Sequence, residues 1–71
     1  MPVVRKNVSG LLILGGVEVP VASWSETLRS FIQEGWKVDS SVLLTPGWGY
    51  EAGALHFTLW RQGMHAELLA H

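Results

Sequence analysis

The chain has 71 residues, a net charge of −1 with histidines neutral, and no cysteine. That length allows one domain, and the absent cysteines exclude disulfide staples, thiol catalysis and cysteine-based zinc sites. Five Lys and Arg, scattered as Arg5, Lys6, Arg29, Lys37 and Arg61, form no basic stripe for nucleic acid; no run approaches the roughly 20 apolar residues of a membrane span.

Size and composition pull against each other. A domain this small buries only about 60% of its unfolded surface, so its core alone is marginal. Yet only 15% of its residues are charged, against about 25% in ordinary domains. Apolar surface should therefore stay exposed on a single chain, and such patches mark interfaces. The expectation is a homo-oligomer, with a protein partner or small ligand as a further contact.

In chain order, Arg5-Lys6 before Leu11-Leu12-Ile13-Leu14 faintly mimics a signal peptide, but Gly15-Gly16 stops the apolar run too early. The expected compartment is the cytoplasm. Leu11 to Leu14 and the alternating Val17-Glu18-Val19-Pro20-Val21 flank Gly15-Gly16, which reads as a β-hairpin. Pro20 lacks an N–H and marks an edge strand. Ser23-Trp24-Ser25-Glu26 fits a capping box. Trp24, Leu28, Phe31 and Ile32 then form one helical stripe, and Gly35 suits a left-handed stop.

Residues 36–44 read as a strand with Trp36, Val38, Val42 and Leu44 on one face and a bulge near Ser40-Ser41. Thr45-Pro46-Gly47-Trp48 suits a type II turn. Residues 54–62 read as the last strand, with Leu55, Phe57 and Leu59 inward, and residues 64–71 as a frayed helical tail. The expected fold is α+β, β-β-α-β-β, a four-stranded mainly antiparallel sheet with one helix on one face. The tryptophans at 24, 36, 48 and 60 are evenly spaced, but they fall on a helix, a strand, a loop and a strand, so they mark no repeat.

Leu28, Ile32, Glu34-Gly35-Trp36, Val38, Leu55, Phe57, Leu59 and Arg61 give residues 28–61 a pattern of helix, Glu-Gly-Trp corner and two strands. In this the stretch resembles a small bacterial domain-of-unknown-function family. The resemblance implies a structural motif, with glycine capping the helix and tryptophan sealing the corner, and no activity.

The chemistry on offer is sparse. His56, His65, Glu67 and His71 are the candidate metal-ligand types. In a helical tail His65 and Glu67 would not share a face, so they read as surface residues and no metal or cofactor is expected. Gly47, Gly49 and Gly53 miss the dinucleotide fingerprint and lie between strands. Pro2 supplies one enzymatic alternative. With Met1 removed it would carry a secondary amine, as in the tautomerase family, whose aromatic-glycine loop residues 48–53 distantly resemble. Two surfaces stand out for binding. Trp48, Tyr50 and Glu51 sit on a glycine-rich loop, where amphipathic aromatics either make contacts or fold back as a lid over the core. Leu12, Leu14, His56 and Trp60 are expected on a sheet face turned from the helix, as an oligomer contact. The resulting expectation is a small non-enzymatic oligomeric interaction or ligand-binding module, an inhibitor or accessory protein.

Overall fold

A computed structural model describes residues 9–70. Five antiparallel strands form one sheet, and a single helix crosses one of its faces. Strand β1 (Gly10–Leu14) turns into β2 (Val17–Val21). Helix α1 (Trp24–Gln33) follows, then β3 (Lys37–Val42), β4 (Leu55–Arg61) and β5 (Met64–Ala70). Across the sheet the order is β2-β1-β5-β4-β3.

The first hairpin follows from its glycines. Gly15 and Gly16 have φ of 60° and 81°, the left-handed pair that a two-residue turn needs. Pro20 lies on β2, an outer strand, as its missing donor requires. Both helix ends match their sequence signals. Ser23 is extended, and its hydroxyl accepts from the Glu26 N–H at 3.3 Å. At the other end Gly35 has φ of 93°, the Gly35 N–H donates to the Ile32 carbonyl, and the Trp36 N–H donates to that of Phe31. These bonds make a Schellman motif, and the apolar contact that accompanies it is Phe31 against Trp36, edge to face at 5.0 Å.

The four-strand expectation is corrected to five. Residues 64–70 are no helical tail but the central strand, paired to β1 and β4. Gln62 and Gly63 turn the chain with φ of 50° and 81°. Met, Ala, Glu and Leu prefer helix by only tenths of a kcal/mol per residue. Fully burying Leu68 or Leu69 is worth about 1.5–3 kcal/mol, so tertiary packing decides.

Both sheet faces carry core. On the helix face Phe57, Leu59, Ala66, Leu68 and Ala70 pack beneath Trp24, Leu28 and Phe31, with Trp24 stacked on Phe57 at 5.4 Å. Gly10 is required here: a Cβ at that position would lie 2.8 Å from both the Leu69 carbonyl and the Trp24 Cβ. On the opposite face Leu11, Ile13, Leu43 and Leu69 form a smaller core. The expected bulge at Ser40-Ser41 is absent, since β3 and β4 pair without interruption from Lys37↔Trp60 to Val42↔Leu55. The bulge comes later. Leu43 donates to the Ala54 carbonyl and accepts from the Gly53 N–H, both at 2.8 Å, so two residues oppose one. Leu43 is thereby buried on the second face, while Val42 and Leu44, expected inward, are exposed. Ile32, expected in the helical stripe, is also exposed.

Candidate functional site

The second face combines a covered end and an open, polar end. Residues 43–54 fold over Leu11 and Leu69, with Tyr50 and Ala54 against the small core. The tight turn in this segment falls two residues later than Thr45-Pro46-Gly47-Trp48 suggests. Gly47 and Tyr50 exchange both backbone hydrogen bonds, at 3.0 and 2.8 Å, around Trp48 and Gly49. Trp48 and Gly49 have φ of 53° and 79°. Glycine takes this conformation freely, but tryptophan at positive φ is strained by about 1–2 kcal/mol.

That turn holds the Trp48 ring 5.8 Å from the imidazole of His56, tilted by 54°. Trp48 remains 40% exposed. The lid over the second core is therefore Leu43 and Tyr50, and Trp48 faces outward beside it. Burial pushes the Tyr50 hydroxyl above its usual value of 10.0.

Sheet register places the polar residues. His56 and Thr58 on β4 lie opposite Leu69 and Glu67 on β5, so His56 and Glu67 are diagonal neighbours on one face. His56 Nε2 and Glu67 Oε1 are 2.8 Å apart, a hydrogen bond that becomes an ion pair when the imidazole is protonated. Further along, Trp60 lies opposite His65. Thr58, His65 and Glu67 border an open depression of about 360 Å³, with Ile13 and the Gly15-Gly16 turn on its far side.

Ser41, His56 and Glu67 thus share a face, and their types suggest a hydrolytic triad. The geometry does not make one. A triad needs the serine hydroxyl on the imidazole, whereas Ser41 Oγ donates to the His56 backbone carbonyl at 3.2 Å. No group of three metal-ligating side chains gathers among the described residues. Pro2 and His71 lie outside the described residues.

The predicted contact residues divide. Trp48 and His56 come together, and Trp60 shares their face. Tyr50 is half-buried, and Glu51 is exposed. Leu12 and Leu14 do not join His56 and Trp60. They point to the helix face, where Leu12 packs against the main core and Leu14 is 43% exposed. It is Leu11 and Ile13 that turn to the second face. Glu67 was hidden by the helical reading of residues 64–71, because residues two apart share a face only in a strand.

No protein-family model, curated protein or solved structure matches this chain. No helix among the described residues is long and apolar enough to cross a membrane.

Proposed function

We propose that this protein is a small, non-enzymatic, self-associating interaction module of the cytoplasm. Its contact surface for a protein partner or small ligand is the open half of the second sheet face. The observation that carries this reading is Trp48, held at positive φ with its indole exposed beside the His56–Glu67 pair. Strain of this kind persists where the surroundings hold the residue, and it concentrates at functional sites. An indole flanking a hydrogen-bonded pair offers both apolar area and polar anchors, the composition of binding hot spots. Self-association is supported by the exposure of Leu14, Val17, Val19, Val42, Leu44 and Leu55 in a chain with 15% charged residues.

Native mass measurement of the protein recovered from its source tests the reading. The expected result is an assembly heavier than the 7.8 kDa chain, containing a partner that Trp48→Ala releases without changing the circular dichroism spectrum. Recovery only as a single unaccompanied chain would overturn it.

A further inference from the structure

The two outer strands are built differently. Val21 accepts from the Ser9 N–H at 3.0 Å, so the backbone groups of Val21, Val19 and Val17 face β1. Glu18 and Pro20 therefore face outward. Proline has no N–H, and a charged side chain beside it further blunts the edge, so β2 is guarded against pairing.

Strand β3 has no proline, and its two charged residues, Lys37 and Asp39, are not in its outward-facing row. Leu43 directs its N–H at Ala54, and antiparallel alternation then turns Lys37, Asp39 and Ser41 toward β4. Val38, Ser40 and Val42 present three N–H and three carbonyl groups outward, with no strand beside them among the described residues. Their side chains lie on the helix face, which is half covered there. Val38 and Trp36 pack against the main core at one end. At the other end Val42, Leu44 and Leu55 are 51%, 87% and 44% exposed.

We infer that a second copy of this chain docks on β3, antiparallel to the first and related by a two-fold axis through Ser40, making one continuous ten-stranded sheet. This rests on the self-associating reading above and names its interface. In that register Ser40 faces the partner's Ser40, and all three outward residues bond. Val42 meets the partner's Val38, and Leu44 extends toward the partner's Trp36. Each copy's exposed apolar corner is covered by the half-buried end of the other, twice over, as an isologous contact requires. A two-residue slip one way would set Asp39 opposite the partner's Asp39, and like charges directly opposite destabilise pairing. The opposite slip would set Val42 opposite the partner's Ser40 and Val38 opposite the partner's Leu44, beyond the end of β3, so the two apolar residues of the strand would no longer meet. Main-chain bonds supply the affinity in strand addition, and the alternate side chains supply the specificity.

Sedimentation of the full chain over a micromolar dilution series tests this. The wild type should be a dimer. Ser40→Pro should be a monomer with unchanged circular dichroism and melting, because the Ser40 N–H makes no bond within the sheet. Val42→Lys, at an exposed position, should also be monomeric, so the test stands even where proline disturbs the strand. Val19→Lys on the guarded edge should leave the dimer intact. A dimer that survives both Ser40→Pro and Val42→Lys would overturn this interface while leaving self-association standing. A monomeric wild type would overturn both.

Discussion

The two faces of the sheet are covered by different means. A ten-residue helix lies over one, and an irregular segment with two left-handed turns lies over the other. The helix face buries Leu59 and Leu68 completely, in a cluster with no buried polar side chain. The loop face buries only one end and leaves His56, Glu67, Trp48 and Trp60 at least partly open to solvent. The helix satisfies its own backbone, so it can be laid on apolar residues at little cost. The loop must find hydrogen bonds across the bulge at Leu43 and the turn at Trp48. One face is thus suited to stability and the other to recognition.

Breaking the helix face should have the largest effect. Leu68 is fully buried on the central strand, so Leu68→Ala should cost about 3–5 kcal/mol. A domain of this length has roughly 4–10 kcal/mol in all, so the variant should be largely unfolded near 37 °C. Denaturant titration checks this. A loss under 1 kcal/mol would mean that the helix-face core is not the main source of stability.

On the loop face the effect should be smaller and local. Leu43 is 8% exposed at the hinge of the covering segment, where neighbours can close over a cavity. Leu43→Ala should cost about 2 kcal/mol, near the low end for such truncations. Hydrogen exchange should quicken at Gly53 and Tyr50, whose amides the segment protects, more than in β5. Equal acceleration in β5 would show that the two faces unfold as one unit.

Legibility in the sequence followed the same division. The Gly15-Gly16 hairpin, the Ser23 cap and the Gly35 stop are set by local backbone chemistry, and all three appear where their residues indicate. Strand β5 was not legible, because its identity depends on pairing with β1, some fifty residues away in sequence. A signal was present in Gln62-Gly63 and in the alternation of Ala66 and Leu68 with His65 and Glu67. It was outweighed by helix-forming residues. The site was half legible: the aromatic loop stood out by composition, but the His56–Glu67 bond required the register of β4 on β5.

The smallest expected effect separates Trp48 from the lid beside it. If Trp48 were a structural cover, removing its side chain would cost about 3–5 kcal/mol, as for other buried aromatics. Its exposure and its φ of 53° argue otherwise. Trp48→Gly relieves a left-handed strain of about 1–2 kcal/mol, while glycine's freedom in the unfolded chain takes back about 0.5–1 kcal/mol. The contact with the half-buried His56 ring is lost, and such an aromatic pair is worth about 0.5–1.5 kcal/mol. These terms nearly cancel, so stability should change by less than about 1 kcal/mol in either direction. Trp48→Asn is the sharper variant, since asparagine tolerates positive φ without glycine's extra freedom. It should melt at or slightly above the wild type. Parallel melts of the two variants decide the matter: a large loss in both would make Trp48 part of the core and leave the open half of this face without its aromatic anchor.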